Sequence, residues 1–596
     1  MSTWQRESDR TTSEPSSRLG IRATFRACSS FEAAHLAALV VIGCAEAEAP
    51  TTAAPSSISD PSTVLFDEFT VQSQTEFTYT YRKNSIDMSK DSGGGAAADD
   101  FDNDGDIDLF VCNGGGPNAL FWNRGDGVFD EGAEAAGVAF PEEWTLAAGA
   151  ADIDNDGDQD LYLVNYKVDR LLENQGDRTF VDITDRAQLM LPASGHGVQF
   201  GDVNGDRILD IFVGVAQPQL GSDLVLLDLK WARPHLLLGS AAGTYRDVGE
   251  SVTPGGLAKG NVFVGALIDL DADGDVELYM IEDSQANPKN VLYENLGPGP
   301  DGEPRFKNVS ATCGCEEPYA GMGVAAMDID SNGLPDLYVS NHYSSYPNRE
   351  VLLLNRGGLA FHDVTEQLGA DPMRPFEEDV VRSVSWAAVP LDVENDSIED
   401  VFLVYGGIMF KQPPEIRTPN DPQSVADQPD ALLRGQWDGS YVVASGSGVE
   451  DMGRGHAAVT ADFNGDGCQD LYVVNLGTPS RMYKNRCVGT GRWVEFLLEG
   501  TRSNRDAIAA RVRIEAGGRV QWRQVLGCTE GVHSCLPKRI HFGLRDATRV
   551  DRVEIHWPAG GVQVLENLDV DRLHKIKEPD AASTRTPTGG PADSPK

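Results

Sequence analysis

The sequence predicts an all-β fold, a seven-bladed β-propeller followed by a small C-terminal β-sandwich-like domain. Three observations predict it. One acidic nonapeptide recurs seven times, with starting aspartates at 100, 152, 202, 269, 328, 392 and 462. Their spacings of 52, 50, 67, 59, 64 and 70 residues are those of a repeat architecture. Around each copy the text offers four short strand-like runs, and four antiparallel strands per repeat, arrayed radially, make a propeller blade.

The nonapeptide comes first in the argument because it sets the phase. Oxygen-bearing side chains stand at positions 1, 3, 5 and 9, usually with glycine at position 6. Such spacing suits a hard divalent cation such as Ca2+, which takes six to eight oxygen ligands. Glycine allows the tight turn because it reaches φ > 0 at little steric cost. The pattern is like the start of an EF-hand, but no glutamate stands at position 12 and a strand follows, not a helix. The candidate ligands are Asp100, Asp102, Asp104 and Asp108 in the first loop, and Asp152, Asp154, Asp156 and Asp160 in the second. The third offers Asp202, Asn204, Asp206 and Asp210, with Arg207 where glycine is expected. The fourth offers Asp269, Asp271, Asp273 and Glu277, and the fifth Asp328, Asp330, Asn332 and Asp336, with Pro335 at position 8. The sixth offers Asp392, Glu394, Asp396 and Asp400, with Ser397 at position 6, and it departs furthest from the pattern. The seventh offers Asp462, Asn464, Asp466 and Asp470. Up to seven calcium ions are expected, with a mainly structural role.

The strands follow from the flanking text. Before each loop runs a small, apolar segment such as TLAAGAAD or GHAAVTAD, suited to the crowded innermost position of a blade. After it comes a β-branched or aromatic run such as LYLVN or LYVVN, then a hairpin such as DRLLENQGDRTFVDIT. The seventh unit lacks a fourth strand. The segment Leu65 to Thr70 (LFDEFT) resembles the missing one and is expected to complete the last blade, which removes an open sheet edge.

Residues 490–577 read as a separate all-β segment, with alternating runs such as RVRIEAGG and RVEIHWPAG. They carry 15 Lys and Arg against 11 Asp and Glu, a net of about +4, on a chain whose net charge is −43. Two readings stay open. The basic domain docks on the acidic propeller, or its arginines form a solvated strand face. The overall acidity excludes nucleic acid as a partner, since that affinity rests on cations.

The loops and their flanks resemble FG-GAP/VCBS repeats of the integrin α-subunit type. The text from Ser503 to Arg513, Gly517-Gly518, His541 to Leu544 and Val553 to Gly560 resembles the ASPIC/UnbV domain. Together the two parts are similar to the cartilage acidic protein-like family. The resemblance covers roughly residues 63–579. It implies a calcium-bearing seven-bladed propeller with an appended β-domain, and no established catalytic activity.

The expected domains are a signal peptide over 1–44, a flexible linker over 45–62, the propeller over 63–489, the ASPIC/UnbV domain over 490–579 and a disordered tail over 580–596. Arg18, Arg22 and Arg26 precede an apolar stretch, Leu36 to Gly43, too short to span a bilayer. Val41-Ile42-Gly43-Cys44 resembles a bacterial lipobox, which makes Cys44 a candidate for lipidation, ahead of simple secretion and of a chance apolar run. An envelope or extracellular location follows, with membrane contact only through that anchor. Among nine cysteines, Cys468 with Cys487 and Cys528 with Cys535 are candidate disulfides. Cys313 and Cys315 admit a disulfide or two free thiols, and Cys112 has no obvious partner.

A partner, protein or glycan, is expected on the face opposite the acidic loops. Six residues before the starting aspartates stand Gly94, Leu146, His196, Phe263, Met322, Trp386 and His456, which are expected near the channel mouth. Tyr166, His342, Tyr343, Tyr346 and the Pro-rich stretch from Lys411 to Pro429 lie in connections on that side. No nucleophile elbow, phosphate loop or H-E-x-x-H motif is present. A surface binding or adhesion module is the leading expectation. The alternatives are a polysaccharide lyase or hydrolase on a propeller scaffold and a passive envelope scaffold.

Overall fold

The computed structural model describes residues 64–80, 93–189, 195–215, 233–283, 289–316, 321–341, 349–372, 384–406, 429–528, 531 and 533–580. All lie within one compact unit, Ile58–Lys596. Outside the described residues fall the expected signal peptide and linker, the lipidation candidate Cys44, the connection residues His342, Tyr343 and Tyr346, residues 411–428, and the tail beyond Asp580.

The described chain is all-β apart from four single-turn helices, such as Ala133–Ala136, each ended by a residue in the left-handed region. Four-stranded antiparallel sheets repeat along it. In the second unit, Thr145–Ala151 pairs with Asp160–Asn165, then Arg170–Asn174, then Phe180–Asp182. The pair Ala151↔Asp160 closes the acidic loop, so position 9 is the first residue of the second strand. The first, fifth and sixth units repeat this order. The third and fourth do so as well and are joined into one sheet by the pair Val215↔Val262. In the seventh, the fourth strand is Phe66–Glu68, antiparallel to Arg481–Asn485 as the sequence predicts.

The first strands are buried, wholly so in five units and all but Ala326 and Pro390 in the fifth and sixth, and they carry small residues because neighbours press on them. A Cβ on Gly149 would meet Phe200 Cε2 at 2.7 Å and Val198 Cγ1 at 2.8 Å. These strands pack in succession, each against the next, and that of the seventh unit packs against that of the first. The core lies between adjacent sheets. One cluster joins Ala325, Tyr338 and Leu352 of the fifth unit to Ala388, Val401 and Leu433 of the sixth. Each valine or leucine among them contributes about 1.5–3 kcal/mol by leaving water.

Residues from Arg492 onward form two further sheets. One holds Ile540–Arg545, Arg492–Glu499 and Leu573–Lys577; the other holds Arg519–Gln524, Arg511–Ala516, Val550–His556 and Val562–Leu568. Their alternating apolar residues, among them Phe496, Phe542, Ile514 and Ile555, belong to one buried cluster that continues into the first three units. Disulfides join Cys313 to Cys315, Cys468 to Cys487 and Cys528 to Cys535, while Cys112 is free and buried. Three disulfides are consistent with an oxidising, exported setting. Among the described residues, no helix is long and apolar enough to cross a membrane.

Candidate metal loops and the domain that covers them

All seven loops share one backbone course. Position 6 has positive φ in each: 104° at Gly105, 107° at Gly157, 75° at Arg207, 99° at Gly274, 85° at Gly333, 75° at Ser397 and 87° at Gly467. Position 4 is also left-handed in all seven, from 52° at Asn395 to 73° at Gly205. Arg207 and Ser397 therefore hold a conformation that side chains other than glycine adopt at a cost of roughly 1–2 kcal/mol. The expected strain at Arg207 is present, and the turn survives it.

Side chains fix this course. In six loops the position-1 carboxylate accepts the position-6 N–H at 2.7–3.1 Å. Position 9 does more than its spacing suggested. In six loops one of its oxygens accepts the position-2 N–H at 2.8–3.0 Å. In six, the other oxygen accepts an N–H from the end of the third strand at 2.7–2.9 Å. Position 9 is thus a staple between loop and sheet as well as a candidate ligand.

Four loops bring three carboxylates together with oxygens within 4.8 Å of one another. They are Asp100, Asp102 and Asp108; Asp152, Asp154 and Asp160; Asp269, Asp271 and Asp273; and Asp328, Asp330 and Asp336. Burial raises these groups. Asp108 is pushed up to about 9, Asp152 and Asp336 to about 8, and Asp269 and Asp328 to about 6, with neighbouring carboxylates adding to the rise. Asp100 Oδ1, Asp269 Oδ1, Asp271 Oδ1 and Glu277 Oε1 are buried and accept no hydrogen bond. Buried, unpartnered anionic oxygens are costly unless a cation answers them, so these residues fit a hard divalent ion. Bound Ca2+ would supply positive charge that lets the carboxylates stay ionised and close together.

The sixth loop departs from the expected ligand set. Glu394 is drawn into an ion pair with Arg434, and both side chains are about a tenth exposed. Asn395 donates to Gly467 O at 2.8 Å, and its Oδ1 lies 2.7 Å from His541 Nε2. In the first loop, Arg178 reaches Asp102 from the neighbouring hairpin, but its side chain is 53% exposed. In the third and seventh loops, Asn204 and Asn464 hydrogen-bond within their own loops, to Asp206 at 3.2 Å and Asp470 at 2.8 Å.

In five of the seven units an asparagine at the end of the third strand clamps the unit to the preceding acidic loop. Asn174 Nδ2 donates to Phe101 O at 2.8 Å, Asn295 to Val203 O at 3.1 Å and Asn355 to Leu270 O at 2.7 Å. Asn485 reaches Val393 O at 3.0 Å, and Asn123 reaches Phe463 O at 2.8 Å. Gly239 and Gly435 stand in the other two units. The recurring Asn-x-Gly of the hairpins was the available signal.

Residues 100–163, 152–213 and 269–339 match the family described as FG-GAP-like repeat, and residues 500–583 match the family described as ASPIC and UnbV. The chain carries FG-GAP-like repeats and a C-terminal ASPIC/UnbV domain. It is similar to cartilage acidic protein 1 of Mus musculus, with 24% identity over 519 residues, 81% of this chain and 73% of the relative. The Homo sapiens protein of that name is 23% identical over 518 residues, covering 81% and 71%. Among solved structures it is similar to the BP39L lectin of Burkholderia pseudomallei, with TM-score 0.37, 12% identity, and coverage of 66% of this chain and 96% of the lectin. A lectin of Agrocybe aegerita gives TM-score 0.34, 15% identity, and coverage of 65% and 86%.

The ASPIC/UnbV domain sits on the acidic loops, so its arginines are not simply a solvated face. Arg539 lies 3.5 Å from Asp100 and donates to Gly105 O; Arg505 lies 3.6 Å from Asp152 and donates its N–H to Asn155 Oδ1 at 2.7 Å. Arg511 donates to Gly333 O, and Arg523 pairs with Glu399 at 3.2 Å. At Gly157 the backbone needs positive φ, and a Cβ there would meet Arg505 Nη2 at 2.7 Å.

One segment of the domain, closed by Cys528–Cys535, enters the centre of the array. Ser534 and Cys535 pair in parallel with Ala96 and Ala97, Gly531 bridges Ala387, and Gly527 O accepts Phe200 N–H at 2.9 Å. Lys538 Nζ donates to Ala150 O at 2.9 Å. The residues expected at the channel mouth surround this segment and are buried. Leu146, Phe263, Met322, Trp386 and His456 each sit where the register of the first strand shifts, as does His196. Such a bulge re-aims a side chain, here inward. His533 lies 6.0–6.3 Å from the rings of Trp386, His196 and His456, and Trp386 stacks on His456 at 4.0 Å. Burial lowers all three imidazoles, His533 to about 3, so they stay neutral. His196 and His456 therefore contact a segment of the chain itself, not an open mouth.

Proposed function

We propose that this chain is an exported, calcium-stabilised seven-bladed β-propeller that serves as a surface binding module. The observation that carries the reading is the succession of buried first strands returning from the seventh unit to the first, with one acidic loop at the head of each. Calcium in these loops answers the orphaned carboxylates and holds the inner hairpin of each blade that binds it. The ASPIC/UnbV domain occupies the loop side and the centre. A protein or glycan partner then takes the other side, formed by the connections into first strands and out of second strands. Connections on a rigid scaffold suit recognition. The N-terminal signal, with Cys44 as its lipid anchor, would place the module on the cell envelope.

The test joins calcium titration of the purified protein to glycan and protein binding arrays, each with calcium and with EDTA. Saturable binding of one partner class, without turnover of uronate polymers, is the expected result. Turnover of such a polymer would replace the binding module by an enzyme. Absence of calcium binding would remove the stabilising role.

A further inference from the structure

We infer that the sixth loop takes no calcium and that the Arg434 guanidinium is its built-in cation. This rests on the reading of the other loops as calcium sites.

In every unit, the third-strand residue beside position 9 is placed to set the charge next to the loop. It is Trp122, Glu173, Leu238, Glu294, Leu354, Arg434 and Lys484 in order. In the second and fourth loops it is a glutamate, whose charge adds to that of Asp154 and Asp271. In the sixth it is an arginine, paired with the position-3 carboxylate that a metal would need.

Burial separates this pair from the others. Arg434 is 9% exposed and Glu394 10%. Arg178, which touches the first loop, is 53% exposed and is free to swing into water when a metal arrives; Lys484, 3.5 Å from Asp466, is 39% exposed. Arg434 has no such exit, and pulling one partner out of a buried pair leaves an uncompensated charge. Arg519, Arg545 and Arg523 also bear on Asp396 and Asp392. Arg519 and Arg545 are held there against Trp437, at 3.7 and 4.8 Å from its ring. Arg523 is itself paired with Glu399 at 3.2 Å, but Arg434, Arg519 and Arg545 stand against Glu394, Asp396 and Asp392 and reduce the charge left for a dication to answer. Asn395 meanwhile pins the loop to Gly467 O and His541, contacts that need no metal.

The experiment counts bound calcium by equilibrium dialysis on the full exported chain and three variants. Asp154→Ala, in the second loop, should lower the count by one. Glu394→Ala, the matched position in the sixth, should leave it unchanged. Arg434→Gln should raise it by one and make the melting temperature more calcium-dependent than that of the parent. Loss of one calcium in Glu394→Ala overturns the inference, and so does a folded Arg434→Gln that gains none. If Arg434→Gln does not fold, the Glu394→Ala count still decides. A parent that binds no calcium would instead sink the reading of the loops themselves, which the Asp154→Ala arm tests separately.

Discussion

The second acidic loop, from Asp152 to Asp160, and the sixth, from Asp392 to Asp400, follow the same backbone course in different surroundings. Both turn at positions 4 and 6, and both fasten positions 1 and 9 to backbone N–H groups. The second gathers Asp152, Asp154 and Asp160 with Glu173 nearby and, of the ASPIC/UnbV arginines, meets Arg505 at 3.6 Å. The sixth is threaded by Arg434 and flanked by three arginines of the covering domain. The nonapeptide thus carries two separable properties. Positions 1, 4, 6 and 9 shape a turn, while position 3 and its neighbours decide which cation neutralises it.

The largest test of that separation is chelation. Sites with near-millimolar affinity contribute on the order of 1 kcal/mol each in excess calcium. Removing several should lower the melting temperature by about 10 °C, read by calorimetry. An EDTA melt superimposed on the calcium melt would contradict the metal-loop reading.

Position 9 provides the next test, because it should matter alike in both loops. Asp160→Ala and Asp400→Ala each strand two buried N–H donors, at about 1–3 kcal/mol per donor. Denaturant titration in EDTA should show similar losses in the two variants, with calcium adding the loss of one bound ion to Asp160→Ala alone. A loss seen only in Asp160→Ala and only with calcium would mean that the staple acts only through metal.

The pH dependence should follow the same division. Folded carboxyls raised to about 6 (Asp202, Asp269, Asp328, Asp462), 8 (Asp152, Asp336) and 9 (Asp108) bind protons more tightly than the unfolded chain does. Their contribution is present below the unfolded value near 4 and is lost as pH rises through the folded values. In EDTA the melting temperature should therefore fall between pH 5 and pH 8, and saturating calcium should flatten that slope. A slope unaffected by calcium would assign the titration to other groups.

The smallest effect concerns shape alone. Arg207→Gly relieves a side chain held at φ 75° and should stabilise by about 0.5–1 kcal/mol. Gly157→Ala should destabilise by a comparable amount or more.

What sequence made legible is what lies within a few residues. Ligand spacing, the positive-φ turn and the four-strand rhythm are local, and Phe66–Glu68 was identifiable because it repeats the fourth-strand text. Contacts between distant segments were not legible. Asn123 clamps a carbonyl 340 residues away, Arg434 meets Glu394 across a hairpin and an insertion, and His533 enters a ring of residues from three different strands. Each of these side chains also has an ordinary surface or turn role, and only the fold selects the other.

The pairing of Phe66–Glu68 with Arg481–Asn485 has a consequence for how the molecule comes into being. The first strand of the described residues must wait, without this partner, until more than 400 further residues have left the ribosome or the export channel. Sheets in the middle of the chain can form as they emerge, but the last one cannot. Such long-range closure is slow relative to local hairpins. The waiting N-terminal segment is therefore the part of the nascent chain most in need of a chaperone.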